Sequence, residues 1–531
     1  MTILQLPRLG CFLLLKQQVA STKMKKISSA TILTLRCMAS ASEAIAMNKP
    51  LPFSELPQVP TVPIFGSIPY LATHPKNDVK ANHKIFLDLV PKFGPIFKIT
   101  IPHTFGELVI CTNPDDIENV LRSNMSAPKR NGFESVKKIR DENINNYFEG
   151  KGGLLAEGVK TDEWWRIRSR VQTPMMRPDN ISPYLPSMDE VALNFMDRIP
   201  KLRNEKEEMP DDFQFELYKW SLESVALVAL NRRLGCFENK KESIRMIKAT
   251  QDMFECIHKT EMGLRMWTIF PFMPSMIKLK KAQQVFIEIA DKHILETYEG
   301  LKLSRSKHDD ELSLMEILLR TPGLSRKDVV TMILDMLFAG IDTTSHTVAF
   351  TLYLLARNPE KQIKMQEEID QVLGDGSKTL TNAQLKKLSY MKLVIKESLR
   401  VFPLIFSGTN RILCEDLVLS GYHIPKGTMV GCMTGYTGWN DTYFPQAKEF
   451  IPERWERSRP LGPIHPFSYM PFSYGTRMCI GRRIAEQEMY TFLARALHRY
   501  TVGYDGEDMD IETRLVSTPS VPLRFTFTER R

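Results

Sequence analysis

The stretch Pro471–Glu486 reads PFSYGTRMCIGRRIAE and decides how this chain is interpreted. Five of its residues follow the spacing F-x-x-G-x-R-x-C-x-G: Phe472, Gly475, Arg477, Cys479 and Gly481. Apolar side chains then recur at steps of four or three, at Ala485, Met489, Phe492, Ala496 and Tyr500, which predicts an amphipathic helix. Cys479 therefore precedes a helix N-terminus, where backbone N–H groups and the helix dipole favour a thiolate over a thiol.

A single thiolate with no Cys or His nearby cannot complete a zinc or iron–sulfur site. It can be the axial ligand of a haem, because the porphyrin supplies the other four iron ligands. Gly475 and Gly481 let the backbone approach a flat cofactor, Arg477 can donate to a propionate, and Phe472 can shield the sulfur from water. The alternative is a buried structural cysteine, with the glycines serving only the turn.

The stretch resembles the haem-binding signature of the cytochrome P450 monooxygenases. The wider string HPFSYMPFSYGTRMCIGRRIAEQEM resembles the mitochondrial branch of that family. The resemblance extends from about residue 50 to the C-terminus. It implies a mainly α-helical fold with small β-sheets, in which haem b (iron protoporphyrin IX) lies between two long helices and Cys479 binds the haem iron.

A second motif lies in the middle of the chain, in a long pattern at 324–357 that is apolar on nearly all sides and therefore predicts a buried helix. Within it, Ala339–Thr344 reads AGIDTT, and the Thr343 hydroxyl can donate back to the Ala339 carbonyl and bend the helix. This string matches the oxygen-activation motif of the family, so the resemblance implies that Asp342 and Thr343 deliver protons to bound oxygen. The alternative is a structural kink with satisfied polar groups.

Further residues are assigned by the resemblance alone. Trp164 and Arg168, four apart on a predicted helix at 161–175, match a W-x-x-x-R pattern that contacts a haem propionate. Arg411 and His465 occupy positions where relatives place further propionate partners. A structural triad of Glu397, Arg400 and Arg454 is also implied. Glu397 and Arg400 form an E-x-x-R pattern on a predicted helix at 384–402. Arg454 lies in Phe450–Trp455, which resembles the family's F-x-P-E-R-F with Trp in place of the final Phe.

The N-terminus predicts a mitochondrial transit peptide over residues 1–46. Its first 42 residues contain six Lys or Arg and no acid, and Glu43 is the first acidic residue. The longest apolar run there, Gly10–Leu15, is too short for a membrane-spanning helix. A disordered basic tail is the alternative. A proline-rich lead-in over 47–72, extended and not helical, and a single haem-thiolate catalytic domain over 73–531 are predicted to follow.

Composition excludes other classes of protein. The eight cysteines are scattered without paired spacing, which argues against a secreted disulfide framework. The net charge is +9, and removing the basic leader lowers it to +4, so no nucleic-acid partner is expected.

The resemblance implies insertion of one oxygen atom from O2 into a lipophilic substrate, sterol-like or xenobiotic. Two alternatives remain: a haem-thiolate isomerase or dehydratase that needs no external electrons, and a non-enzymatic haem-thiolate ligand sensor. Substrate-dependent consumption of reducing equivalents would distinguish a monooxygenase from both.

The expected electron donor is a mitochondrial [2Fe–2S] ferredoxin, itself reduced by an NADPH–ferredoxin reductase. Lys392 and Lys396 in the pattern K-x-x-x-K-E resemble the segment with which mitochondrial relatives bind this acidic protein, and Arg482 and Arg483 should lie on the same side. The alternative is an ordinary solvated helix face. The apolar segment Arg265–Met276 predicts either peripheral contact with a membrane or a loop folded into the core. The expected location is the matrix side of the mitochondrial inner membrane.

Overall fold

The computed structural model describes residues 49–530, apart from 79, 103, 105, 127, 143–145, 159–160, 263–264 and 304–311. The predicted transit peptide lies outside the described residues. Within them, the fold is mainly helical with small sheets, which confirms the predicted fold class. None of the described helices is both long and apolar enough to cross a membrane.

The helices of the first half of the chain are α1 Ile68–Ala72, α2 Phe86–Phe93, α3 Pro114–Ser123, α4 Glu134–Asp141, α5 Gly153–Ala156, α6 Thr161–Met176, α7 Pro178–Ile181, α8 Leu185–Met196, α9 Ile199–Leu202, α10 Phe213–Leu230 and α11 Lys241–Glu261. Those of the second half are α12 Pro274–Leu303, α13 Leu314–Arg320, α14 Arg326–Arg357, α15 Pro359–Leu373, α16 Asn382–Lys387, α17 Ser389–Val401, α18 Thr434–Gly438 and α19 Arg482–Arg499.

The sheets are small. Their strands are β1 Ile96–Ile101, β2 Gly106–Cys111, β3 Thr409–Ile412, β4 Leu417–Leu419, β5 Tyr422–Ile424, β6 Met429–Cys432, β7 Tyr500–Gly503, β8 Ile511–Glu512, β9 Thr518–Pro519 and β10 Thr526–Glu529. A four-stranded sheet has the order β1-β2-β6-β3, and the β2–β6 pair is parallel, with Leu108 opposite Met429. The other pairs are antiparallel ribbons: β4 with β5, β7 with β10 and β8 with β9.

Helix α14 organises the core. It begins with a capping box in which Ser325 and Asp328 satisfy each other's backbone N–H groups, and it ends at Asn358, just before Pro359. Its first half packs into one apolar cluster and its second half, from Val348, into another. Between the two clusters it carries a buried polar run, which positions the candidate site: Asp342, Thr344, Ser345, His346 and Thr347.

Two predicted segments differ from the structure. The helix expected over 384–402 is divided, because Leu388 leaves helical geometry (φ −71°, ψ 72°) and separates α16 from α17. The lead-in is extended and hydrogen-bonds to β1 through Pro57 and Val59, but its last residues form helix α1. Pro69 is tolerated there because the first turn of a helix needs no N–H donor at that position.

Candidate active site

The loop before α19 presents the thiol of Cys479. The backbone N–H of Cys479 donates to the Phe472 carbonyl at 2.9 Å, which closes the loop. Gly475 has φ +75°, and a Cβ there would lie 2.3 Å from the sulfur of Met125, so a larger residue is excluded on both counts. A Cβ on Gly481 would meet nothing within 4 Å, and the Cys479 side chain is exposed. The loop therefore leaves open space beside an accessible sulfur.

The thiolate is not favoured by this environment alone. Although the Cys479 side chain is exposed, desolvation by the protein around it raises its pKa, whereas the N–H of Gly481 and the charges of Arg168 and Arg482 oppose that rise. The helix N-terminus thus lowers the pKa of Cys479, as predicted, but desolvation raises it by more. A metal ion bound to the sulfur would displace the proton and reverse this balance.

Four arginines from distant parts of the chain lie close together inside the protein: Arg130, Arg168, Arg411 and Arg477. Arg477 donates to the backbone carbonyl of Glu157 at 2.8 Å, and its guanidinium carbon lies 4.1 Å from the ring centre of Trp164. Arg168 donates to the Met478 carbonyl at 2.9 Å, directly before Cys479. The predicted W-x-x-x-R pair on α6 is therefore fixed against the cysteine loop.

Protein balances the positive charge of this cluster only in part, through Asp335 and Glu134 near Arg130 and Glu157 near Arg477. Burial, followed by repulsion from the other three arginines, lowers the pKa of Arg477 to about 8. Burial likewise lowers the pKa of Arg168 and of Arg411, each to about 10. Within the part of the chain that the structure describes, none of the four has a carboxylate oxygen within 4.0 Å. Since unpaired buried charges are costly, the cluster is built to receive an anion.

The buried stretch of α14 is partly exposed at one point only, in the middle of the helix. Residues 328–355 of this helix are buried except Ala339, Gly340 and Thr343, which lie on one face. As predicted, the Thr343 hydroxyl donates to the Ala339 carbonyl, at 2.8 Å. The next carbonyl, that of Gly340, accepts a hydrogen bond from the Ser221 hydroxyl on α10 at 3.1 Å. Helix α14 is continuous through this point, so the hydroxyl bonds add to its backbone ladder.

Asp342 lies beside this opening but is buried. Desolvation raises its pKa to about 7, and the charge of Arg514 opposes the rise. Its Oδ1 atom has no hydrogen-bond partner among the described residues. A carboxyl group with a pKa near neutrality can accept and release protons under physiological conditions.

Comparison with known proteins decides the family. The family model described as "Cytochrome P450" matches residues 57–527. The chain belongs to the cytochrome P450 family. It is similar to "Cytochrome P450 CYP12A2" of Musca domestica, with 33% identity over 89% of this chain and 91% of that protein. It is also similar to "Probable cytochrome P450 12b2, mitochondrial" of Drosophila melanogaster, with 35% identity over 82% of each chain, and to "Probable cytochrome P450 49a1" of the same species, with 31% identity over 94% and 87%.

A cytochrome P450 is a haem-dependent monooxygenase, and the residues of this chain fit that cofactor. Propionate groups would supply anionic charge to three buried arginines and the half-buried Arg130. The accessible Cys479 sulfur matches the thiolate ligand of the family. The three open positions on α14 supply a face without long side chains. When bound, the haem provides the oxygen chemistry, while the protein binds, orients and excludes water.

His465 contacts acidic residues of α3 and caps a short turn. Its Nε2 atom lies 3.2 Å from a carboxylate oxygen of Asp115 and 3.7 Å from one of Glu118, both on α3. Its Nδ1 atom accepts from the N–H of Phe467 at 3.2 Å. Both ring nitrogens therefore have protein partners, and contact of His465 with a haem propionate stays a prediction.

Glu397, Arg400 and Arg454 lie together in the cytochrome P450 core, with side chains at most 1% exposed. Arg400 donates to both oxygens of Glu397, at 2.8 and 3.0 Å, and Arg454 donates to one at 2.8 Å. The indole N–H of Trp455 donates to the other oxygen at 2.8 Å. The Trp that replaces the Phe of the family pattern thus adds a donor to the buried carboxylate.

The predicted basic surface consists of Lys392, Lys396, Arg482 and Arg483, which differ in exposure and in their partners. Lys396 is exposed, whereas Lys392 is half-buried and donates to the Lys386 carbonyl at 2.9 Å. Arg482 and Arg483 both pair with Glu486, at 2.8 and 3.1 Å. Burial lowers the pKa of Lys396, and repulsion from Arg459 and Arg482 adds to it. Two acids, Glu486 and Glu368, offset only part of the positive charge of this surface.

Some residues of this site could not be found from the sequence. Arg130 lies in the unpatterned string APKRN, and its neighbours in the arginine cluster are distant in sequence. Arg459 likewise joins the basic surface from an irregular loop. Tyr218 and His346 hydrogen-bond each other near Asp342, and the sequence indicated only the position of His346. Asp342 and His346 are four apart on the predicted helix and must share a face.

Proposed function

We propose that this cytochrome P450 is mitochondrial and inserts one oxygen atom from O2 into a lipophilic substrate, with electrons from a [2Fe–2S] ferredoxin. The observation that carries the haem assignment is the four-arginine cluster next to an accessible thiol. Haem b is the proposed form of the cofactor, because two propionates on one edge suit a cluster of several guanidinium groups beside one axial sulfur. Relatives named as mitochondrial support the location. The proposed chain consists of a leader over 1–46, a lead-in over 47–72 and one catalytic domain over 73–531.

The proposed roles follow from the contacts. Arg168, Arg411 and Arg477, joined by Arg130, hold the propionates. Trp164 supports the guanidinium of Arg477, and Phe472 covers the sulfur side. Asp342 holds a proton at the opening on α14. The Thr343 hydroxyl donates its hydrogen bond to the Ala339 carbonyl, so its oxygen can accept one. Through that bond it orders the proton donor that approaches oxygen.

Thr343→Ala tests the monooxygenase role. We expect the variant to bind haem and substrate normally but to convert a several-fold larger share of its reducing equivalents into peroxide, because the proton donor at the opening is no longer ordered. Peroxide and product are measured per NADPH consumed, with a sterol or drug first selected by its shift of the haem absorbance.

The matched control is Thr347→Ala. Thr347 makes the same back-bond, to the Thr343 carbonyl at 2.8 Å, one turn further along and buried. Unchanged coupling in Thr343→Ala would remove the assigned role. Turnover of substrate by the wild type without electron consumption would instead favour the isomerase or dehydratase alternative.

The ferredoxin surface is proposed from its charge and position. Lys392 and Lys396 lie on α17, and Glu397, the carboxylate of the triad, directly follows Lys396 on the same helix. Arg482 opens the helix that follows Cys479, and its guanidinium carbon is 5.4 Å from the Phe472 ring centre. The basic surface is therefore adjacent to the cysteine loop. An acidic partner that docks there approaches the iron ligand by a short route, and its encounter should be steered by charge.

We expect Lys392→Glu with Lys396→Glu to raise the apparent KM for ferredoxin about tenfold at low salt, since reversed charges repel an acidic partner. Substrate binding should be unaffected. Lys280→Glu with Lys281→Glu, two exposed lysines on α12, makes the same change of charge at another surface and should leave this KM unchanged. Equal KM values for the two double variants, or support by a diflavin reductase and not by ferredoxin, would contradict the assignment.

Peripheral membrane contact is proposed at the turn between α11 and α12. Trp267 and Met276 anchor this segment in the core, with 6% and 5% exposure. Ile269, Phe270 and Phe272 instead project outward and are 60%, 57% and 85% exposed. A contiguous apolar patch of this kind marks an interaction surface. The exposed residues Lys278, Lys280 and Lys281 follow it on α12 and suit an anionic lipid surface.

Phe270→Asp with Phe272→Asp is expected to weaken binding to phosphatidylcholine vesicles containing cardiolipin by at least about tenfold, because each buried Phe contributes roughly 1.5–3 kcal/mol. Co-sedimentation with the vesicles measures the effect. Ile363→Asp, at an exposed apolar position on α15, is the control. If the double variant binds as well as this control, the patch does not contact lipid.

A further inference from the structure

Helix α10 follows α14 along the stretch that contains Asp342. Three residues of α10 face it at helical spacing: Tyr218, Ser221 and Val225. The Tyr218 hydroxyl lies 2.8 Å from Nε2 of His346, and the Ser221 hydroxyl bonds the Gly340 carbonyl. A Cβ on Gly340 would lie 2.8 Å from Val225, so the two helices are in close contact there. Asp342 lies between these contacts along α14, beside the seam of the two helices.

A cavity of about 180 Å³ opens at the other end of this seam. Tyr218 forms part of its wall, together with Gln214, Glu512 and Arg514, and exposed Asp211 lies at its rim. Polar and charged residues line one part of the cavity and Pro519, Val521, Pro522 and Leu523 the other, and it has the volume to hold several waters. Tyr218 therefore contacts this wet surface cavity on one side and the polar interior of α14 on the other.

The seam holds buried polar atoms that protein does not satisfy. Asp342 Oδ1 has no hydrogen-bond partner among the described residues, and the side-chain amide of Gln214 makes no well-formed hydrogen bond although it lies close enough to Tyr218 to lower its pKa. Buried polar atoms are nearly always paired with protein or with ordered water. These atoms follow one another from the cavity to Asp342 and are the groups with which ordered waters in the seam would pair.

The electrostatics of the seam agree with this arrangement. Burial raises the pKa of Tyr218, and the charge of Asp342 adds to it, so the hydroxyl remains protonated. Burial lowers the pKa of His346 to about 3, and Arg514 adds to this, so the ring stays neutral. A backbone group of Ser517 also bonds this ring and opposes the lowering of its pKa. With the ring proton on Nε2, the ring donates to the Tyr218 oxygen and the hydroxyl proton is free to point along the seam. With the ring proton on Nδ1, the hydroxyl donates to Nε2 instead.

We infer that Tyr218, oriented by His346, relays protons from the cavity lined by Gln214 and Arg514 to the carboxyl group of Asp342. A cavity water protonates the Tyr218 oxygen while the hydroxyl passes its own proton, through water, to the Asp342 carboxylate. Tyr218 and the water are regenerated by exchange with solvent, so one proton moves inward and no other bond changes. The inference rests on the proposed proton-donating role of Asp342. Tyr218 acts through Asp342 and His346 positions Tyr218.

Hydrogen–deuterium exchange of the Asp342 carboxyl tests the relay without turnover. Below pH 7 this group is largely protonated, and its C=O stretch, identified by its loss in Asp342→Asn, shifts in D2O. In haem-loaded protein mixed with D2O, we expect Tyr218→Phe to slow this shift at least about tenfold, since a positioned proton donor commonly accelerates transfer by 10²–10⁴. Tyr353→Phe is the matched control. Tyr353 lies on α14, the helix that carries Asp342. Its buried hydroxyl accepts from the backbone N–H of Met509 at 3.0 Å, and its loss should not affect the shift.

Turnover supplies a second readout. Tyr218→Phe should raise the peroxide yield and increase the solvent deuterium isotope effect on product formation, which a purely structural role would not change. Gln214→Leu keeps the Tyr218–His346 bond and should act in the same direction, so a folding defect of Tyr218→Phe does not leave the inference untested. Exchange rates and isotope effects equal to those of Tyr353→Phe in both variants overturn the relay.

Asp342→Asn separates this inference from the function on which it rests. Loss of coupling in Asp342→Asn together with slow exchange in Tyr218→Phe and Gln214→Leu supports both. Loss of coupling in Asp342→Asn with normal exchange in the other two overturns the relay alone. Normal coupling in Asp342→Asn overturns the role of Asp342 and the relay with it.

Discussion

Cys479→Ser is expected to abolish the red-shifted Soret band of the reduced carbon monoxide complex and all monooxygenase activity. Cys479 is the exposed cysteine among those that the structure describes, and four of the others are buried. Burial raises the pKa of Cys432 to about 12 and that of Cys256 to about 11, so neither thiol is suited to ionise. A serine hydroxyl has nearly the same size but is not a thiolate and cannot supply the same electron density to iron.

Cys414→Ser is the control for this substitution. Cys414 is half-buried and its sulfur lies 3.3 Å from the Ser123 carbonyl oxygen, so its replacement changes a thiol outside the candidate site. This variant should retain the red-shifted band. Both proteins are loaded with haem, reduced and exposed to carbon monoxide. If the band persists in Cys479→Ser, another residue ligates the iron and the assignment is wrong.

The sequence predicted those parts of the site that depend on local spacing. The loop around Cys479 and the Thr343 back-bond each involve residues within eight positions of one another, so their geometry follows from turn and helix periodicity. The division of the helix at Leu388 was missed, since nothing in the string LKKLSYMK interrupts a helical pattern. Leu388 is fully buried, and tertiary packing determines its conformation.

The sequence alone could not predict groups that converge from distant segments. Arg130 reaches the arginine cluster through a loop without regular structure, and the seam of α10 with α14 joins residues more than a hundred positions apart. The contacts of His465 with Asp115 and Glu118 on α3 were likewise not predictable, because no local pattern connects these acids to it.

The buried triad is expected to have the largest effect on stability. Glu397→Ala leaves the guanidinium groups of Arg400 and Arg454 in the core without their carboxylate. Removing one partner of a buried ion pair typically costs about 3–5 kcal/mol, because the remaining charge stays desolvated. The remaining acceptors, such as the Gly438 carbonyl at 2.8 Å from Arg400, carry only partial charge. We expect a large fall in the denaturant midpoint of unfolding and poor recovery of haem-loaded protein.

Trp455→Phe provides a graded comparison at the same carboxylate. It removes one N–H donor and restores the residue of the family pattern, while Arg400 and Arg454 still donate to Glu397. A single hydrogen bond to a charged group contributes about 1.5–3 kcal/mol, so this variant should be destabilised less than Glu397→Ala. Unfolding midpoints that fall equally in the two variants would show that the indole bond and not the ion triad holds this part of the core. A midpoint unchanged in Glu397→Ala would contradict the structural role of the triad, since it would mean that backbone carbonyls alone can stabilise two buried guanidinium groups.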